Sequence, residues 1–233
     1  MCSVVKVFPM KRVSIPELLD SDAGTPGEVA ASLGDLESVN RRFGGVATTL
    51  AMVERVAGSC KVRSLSLLEV AAGSGLAPFA VQERLAGNGI QISVTLLDRA
   101  ASHLKNGAAD RRRIVGDALA LPFSDASFDV VSCGLFVHHL SPAQVVQFLR
   151  EGLRVCRVAV LINDLVRHPV HLALVYAGMP LYHSRLTRHD APASVRGAYT
   201  PDEIRELIAQ TPAAQVEILR RYLFRMGVIV WKA

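Results

Sequence analysis

The sequence predicts an open α/β fold: a mostly parallel sheet with helices on both faces, closed by an antiparallel hairpin. Three observations predict it. Short apolar runs with the character of doubly buried strands recur through the chain. Helical patterns separate most of these runs, as crossover connections require. Three helix starts carry one device, a hydroxyl cap, Pro at the first helical position and Glu or Gln reaching back from the third.

Taken in order, Thr25-Pro26-Gly27-Glu28 starts a helix at about 26 that leads into Val29–Val39. Residues 1–60 hold helix signals and no clear strand, so they are expected to form a helical N-terminal cap, with the main domain over 61–233. The predicted parallel strands are Leu65–Ala71, Ile92–Asp98, a short Arg113–Val115, Phe128–Cys133 and Val158–Asn163. Helices are predicted at Ala77–Leu85, Ala100–Ala108 and Val145–Val155, the last started by Ser141-Pro142-Ala143-Gln144. Thr200-Pro201-Asp202-Glu203 starts a final helix into Ile204–Ala209. Two runs, Gln215–Tyr222 and Met226–Trp231, then lie too close together for a crossover and fit a hairpin. Between the fifth strand and the last helix, residues 165–199 form an insertion long enough to be a lid or binding segment.

Composition narrows the class. Of 233 residues, 50% are hydrophobic and 20% charged, which excludes a disordered chain. The net charge of +5 comes from 21 Arg against 5 Lys, and the one tight run is Arg111-Arg112-Arg113. No aromatics interleave with the Arg residues as a single-strand nucleic-acid platform requires, so no nucleic-acid partner is expected. Four Cys, at 2, 60, 133 and 156, form no CxxC pair; no metal site is expected, and scattered thiols suit a reducing cytoplasm. The longest greasy stretch, 165–182, is interrupted by Arg167, His168, Pro169 and His171, so no transmembrane segment is expected.

The chemistry gathers at strand ends. Leu67-Leu68-Glu69-Val70-Ala71-Ala72-Gly73-Ser74-Gly75 reads as a buried strand, a Gly-rich turn and a helix start, the arrangement that brings backbone close to a ligand. It is not the dinucleotide fingerprint, because Pro78 stands where Gly or Ala is wanted, and it lacks the Gly-Lys-Ser/Thr of a phosphate loop. Glu69 near the end of a buried strand is costly unless a site uses it, and it suits a cationic or hydroxyl-rich ligand. Asp98 ends the second strand, where a carboxylate accepts ribose hydroxyls. Asp117 follows the third. Each acid alone is as readily a cap; three around one Gly turn point to a nucleoside site.

These segments, with Gly116-Asp117-Ala118-Leu119-Ala120-Leu121-Pro122-Phe123 and Ser127-Phe128-Asp129, resemble the class I S-adenosylmethionine-dependent methyltransferases, in the branch that includes the ubiquinone/menaquinone methyltransferases. The resemblance covers about 64–164 plus the terminal helix and hairpin, and implies a Rossmann-like, seven-stranded sheet. It departs twice: Ala71 replaces the first glycine of the turn, tolerable if its backbone angles are ordinary, and Val155-Cys156-Arg157 replaces a Pro-Gly-Gly turn before the fifth strand. It implies that Glu69, Ala71, Gly73 and Gly75 surround the methionine part of S-adenosylmethionine. Asp98 would bind the ribose with Arg99 beside the adenine, Asp117 and Ala118 would meet the adenine edge, and Cys133 would line the cofactor near its sulfonium.

Catalysis is expected from His138, His139 and Asp164. Val137-His138-His139-Leu140-Ser141 resembles the Leu-His-Asp-Trp-Ser run of plant phenolic O-methyltransferases, which puts His138 at the general base; the pair serves equally as a helix-start element. Asp164 would orient the acceptor or a His, or simply cap. Asn40-Arg41-Arg42-Phe43-Gly44-Gly45 is a further candidate for the cofactor carboxylate. The Asn163-Asp164-Leu165-Val166-Arg167 run, with the Val39-Asn40-Arg41-Arg42 cap, looks like bacterial small-molecule methyltransferases of polyketide and phenolic-lipid pathways. The implied reaction is O-methylation of a phenolic or quinol-like molecule, with C-methylation, a protein or nucleic-acid acceptor, or a non-catalytic binding module as rivals.

Overall fold

Thr25, Ser141 and Thr200 each cap the helix that the sequence predicts, with both reciprocal hydrogen bonds of the capping box in place. A computed structural model describes residues 10–21, 23–105, 112–221 and 224–233. In chain order the elements are α1 (Pro26–Arg42), α2 (Gly45–Cys60), β1 (Ser64–Val70), α3 (Leu76–Gly87), β2 (Gln91–Asp98), β3 (Arg112–Val115) and β4 (Phe128–Gly134). There follow α4 (Pro142–Val155), β5 (Cys156–Leu165), α5 (Pro169–Gly178), α6 (Arg185–Gly197), α7 (Pro201–Ile208), β6 (Ala213–Arg221) and β7 (Arg225–Lys232). The helix expected over 100–108 is not there in its described part, which holds only a short 3-10 turn at His103–Lys105. The Asp98 carboxylate, ending β2, takes the Ala100 N–H at 2.9 Å and turns the chain before a helix can start. The rest of that expectation, and Tyr222 of the hairpin, lie outside the described residues.

The seven strands are ordered β3-β2-β1-β4-β5-β7-β6. The first five are parallel, and β7 inserts antiparallel between β5 and β6. The strand order reverses between β1 and β4, so a crevice opens beyond their carboxyl ends. A two-residue period divides the buried strands between two cores. Leu68, Val70, Val131 and Val160 face α4 and α7, where Phe148 and Leu149 are fully buried. Leu67, Val130, Ala159 and Leu161 face the α2 and α3 side, with Met52 and Leu85. On the first side α4 runs directly into β5 at Cys156, so the replaced Pro-Gly-Gly turn is dispensed with. Within residues 10–60, α2 packs on β5 and β7, whereas α1 lies against α2 and α6. Residues 10–21 are an extended strap with one 3-10 turn at Leu19–Ser21.

The condition that would make Ala71 tolerable in the turn, ordinary backbone angles, is not met. The φ of Ala71 is +52°, left-handed like Gly73 at +52° and Gly75 at +73°. The turn must reverse quickly to let the Ala72 N–H reach the Leu97 carbonyl at 3.1 Å. Ala71 therefore carries the steric cost of its own Cβ in a left-handed residue. Ala71→Gly should raise the unfolding free energy in urea by about 1 kcal/mol. Gly75→Ala should lower it by about 2 kcal/mol or more, because the added Cβ would lie 2.5 Å from Leu96 and 2.9 Å from Phe79.

Candidate functional site

The crevice deepens into a cavity of about 940 Å³. Its floor is the carboxyl edge of β1, β2, β4 and β5; its walls are the strap, α1, α5 and α6. Glu69 reaches it from β1. That carboxylate is 4% exposed and its Oε2 has no hydrogen-bond partner. Burial pushes it up to about 7, with the nearby Ser132 hydroxyl opposing. A buried acceptor left open in this way is costly unless a ligand completes it.

Asp98 ties the floor together. Its Oδ2 accepts the Gly73 N–H at 2.8 Å and its Oδ1 the Ala100 N–H at 2.9 Å, joining the end of β2 to the Gly turn. Asp117, beyond β3, accepts the Leu119 N–H at 2.9 Å and stands exposed on the wall. Of the nine residues expected around the cofactor, Glu69, Ala71, Gly73, Asp98, Arg99 and Asp117 line the cavity. The other three do not. Gly75 lies under the turn against Leu96 and Phe79, and Ala118 is packed in the α4-side core. Cys133 corrects a second expectation: its place in the β4 period turns the side chain into that same core, and Gly134 meets the cavity instead. Burial, then the charges of Glu69 and Asp164, push the Cys133 thiol well up, so it stays protonated. From α1, Asn40, Arg42 and Phe43 reach the cavity.

Opposite the Gly turn stand the two histidines. A 3-10 turn at Val137–His139 presents them just after β4. The His138 backbone N–H donates to Asp164 Oδ2 at 3.0 Å and its Nδ1 lies 2.7 Å from Asp164 Oδ1, both residues being buried. His138 Nε2 faces Glu17 Oε1 at 3.5 Å. Burial pushes the imidazole down, but the charge and hydrogen bond of Asp164, then those of Glu17, outweigh it and hold His138 up at about 10. Burial likewise pushes Asp164 up, and the His138 charge and hydrogen bond bring it below the usual carboxylate range. His139 stacks beside His138 with ring centroids 4.1 Å apart, and its Nδ1 lies 2.8 Å from Asp20 Oδ2. Glu17, His138 and His139 bring ligand-capable atoms within 4.8 Å of one another, but both Nδ1 atoms already sit against carboxylates.

Glu17 and Asp20 were not singled out by the sequence. They come from the strap, which lacks any helical or strand period. Arg12 fastens it, donating from Nε to the Gly197 carbonyl at 2.7 Å and from Nη2 to the carbonyls of His138 at 3.1 Å and Leu140 at 2.8 Å. Farther along, Asp190 of α6 accepts the backbone N–H groups of Leu18 and Leu19. Arg225 was also missed. Buried at the start of β7, it donates to Asn163 Oδ1 at 3.0 Å and to the Phe43 carbonyl at 3.1 Å; burial lowers it to about 10 against the pull of Asp164. Other charged residues of the insertion serve the scaffold: Arg167 pairs with Glu203, His183 with Asp35 and His189 with Asp190.

Comparison with known proteins adds four findings. Residues 67–158 match the family described as methyltransferase domain. Over 164 residues the chain is 30% identical to a phosphatidylethanolamine N-methyltransferase of Cereibacter sphaeroides, covering 68% of this chain and 78% of that protein. Its fold is similar to the plantazolicin methyltransferase BpumL (TM-score 0.67, 13% identity, 93% of this chain and 95% of that one). It is also similar to human N-acetylserotonin methyltransferase (TM-score 0.64, 11% identity, 94% of this chain), of which it spans only 60%.

The buried pair makes a test of its own. Because the folded state raises His138 above its ordinary value of about 6.5, the pair contributes stability that is complete below that pH and is lost as pH rises toward 10. Asp164→Asn should lower the unfolding free energy at pH 7 by about 3 kcal/mol and flatten its decline from pH 7 to 10, read by urea titration across pH.

Proposed function

The chain belongs to the class I S-adenosylmethionine-dependent methyltransferases, with S-adenosylmethionine as its methyl donor, and on that premise we propose that it methylates an oxygen of a hydrophobic, phenolic or quinol-like small molecule. One observation carries the reading. A single cavity joins a carboxylate-rich floor to an apolar lid wall of Leu174, Val175 and Leu181, with His138 at their meeting. The likeness of the sequence to the ubiquinone/menaquinone branch supports the same acceptor class.

The donor fits the residues present. Its positive charge suits Glu69, whose buried Oε2 lacks a partner. Glu69, Ala71 and Gly73 would hold its methionine part, Asp98 its ribose, and Arg99 and Asp117 its adenine side. When bound it supplies a methyl group already activated on a sulfonium. The protein's work is then to hold the acceptor oxygen in line and to take its proton. In this reading the acceptor hydroxyl approaches His138 Nε2 from the cavity, beside Glu17. His138 acts as base in the fraction of molecules whose Nε2 has lost its proton, a fraction that grows as pH rises toward 10, while Asp164 keeps Nδ1 protonated and the ring fixed. His139, braced by Asp20, bounds the acceptor.

One finding favours a second reading. The phosphatidylethanolamine N-methyltransferase relative suggests an amine acceptor, and Glu17 and Asp20 would attract an ammonium group. Parallel assays with radiolabelled donor against a catechol-type phenol and against phosphatidylethanolamine vesicles separate the two: label in the phenol supports the first reading, and label confined to the lipid replaces it.

Two substitutions should separate the roles. His138→Ala should cut turnover by about 10²–10⁴-fold while leaving donor affinity within a few-fold; unchanged turnover would remove the base from the proposal. Asp98→Ala should instead weaken donor binding by about tenfold or more in calorimetry, since it loses both the ribose acceptor and the tie to Gly73. A third measurement uses Glu69. Raised to about 7, it becomes the anion a cationic donor needs only as pH passes that value. Donor affinity should rise from pH 6 to pH 8, and Glu69→Gln should abolish the rise.

A further inference from the structure

Helix α5, Pro169–Gly178, reads PVHLALVYAG: it is apolar around its whole circumference and has no charged residue except as His171 titrates. Such a helix normally lies in a core or in lipid. Here none of its residues is buried. Val170, Leu174 and Tyr176 are 49%, 50% and 44% exposed, and Leu181 in the next turn is 76% exposed. Ten residues make a helix of about 15 Å, half of what a bilayer core requires, and no helix among the described residues is long and apolar enough to cross a membrane.

The segment that carries this face bears positive charge only. From Arg167 to His189 the chain contains no carboxylate. Arg188 donates to the Tyr182 carbonyl at 2.9 Å, next to Leu181, and Arg196 donates to the Tyr176 hydroxyl at 2.9 Å. Arg42 and its neighbour Phe43, itself 50% exposed, line the same cavity as Leu174 and Leu181. Arg167 and Arg185 are already paired with Glu203 and Glu28 and are not counted.

We propose that α5 and the Met179–Leu181 turn dock the protein on an anionic phospholipid surface, with Val170, Leu174, Tyr176 and Leu181 entering the headgroup boundary and Arg42, Arg188 and Arg196 meeting lipid phosphates. An apolar face rimmed by cations is what such a surface binds, through buried apolar area and charge together. Leu174 and Leu181 line both the docking face and the cavity, so a hydrophobic acceptor would pass from lipid to the His138 wall without crossing water. That passage rests on the acceptor reading above; the docking does not.

Flotation of the full chain with vesicles tests it. The protein should float with phosphatidylcholine vesicles containing phosphatidylglycerol, and far less with phosphatidylcholine alone or in high salt. Val170→Glu with Tyr176→Glu should reduce flotation by about tenfold or more without changing the melting temperature. Val170→Trp should give an emission blue shift on adding the anionic vesicles. Failure of the wild-type chain to float would overturn the proposal, as would flotation unchanged in the double variant. Self-association in solution that the double variant abolishes would assign the face to a second copy of the chain and overturn it equally.

Discussion

Asp164 and His138 meet at 2.7 Å where water does not reach, and the site is arranged around that contact. A buried imidazolium is tolerable only with a carboxylate against it, and a buried carboxylate only with its oxygens satisfied. Asp164 meets both conditions, accepting the His138 and Leu165 backbone N–H groups as well as the ring nitrogen. Once the ring is fixed, its carbonyl is available to Arg12 and its Nε2 to Glu17, whose Oε1 in turn accepts the Ser194 hydroxyl of α6. Strap, strand edge and α6 are thus registered to one another through a single ring.

Charge and function separate in this molecule. The net charge of +5 belongs to the whole chain, whereas the cavity is lined, among the described residues, by seven carboxylates, Glu17, Asp20, Asp35, Glu37, Glu69, Asp98 and Asp117, against three Arg, Arg42, Arg99 and Arg225. Local sign, not the total, selects what enters. A cation is favoured at the Glu69 end, and the basic surplus matters only where Arg side chains stand clear of acidic partners.

Most of the fold was legible because its signals are local. Capping boxes span four residues, and doubly buried strands announce themselves by unbroken apolar runs, so the sheet and three helix starts could be read directly. The acids at the strand ends were legible for the same reason. The strap was not. Its contacts reach residues as far as 185 positions away, and Arg12, Glu17 and Asp20 carry no period that announces them. Cys133 was misread by phase: one residue along a strand reverses the face. The left-handed angles of Ala71 were not legible, because such an alanine is held by its surroundings rather than by its own preference.

Arg225 carries a consequence for how the enzyme is made. It belongs to β7, the last strand of the chain, which lies between β5 and β6, and from there it braces Asn163, which in turn holds the Gly45 carbonyl and Thr49 of α2. A folding intermediate with β1 to β5 already paired would possess the acidic floor but not this brace. The last strand of the chain is therefore part of the site's frame, because Arg225 and Asn163 link β7 to β5 and to the start of α2.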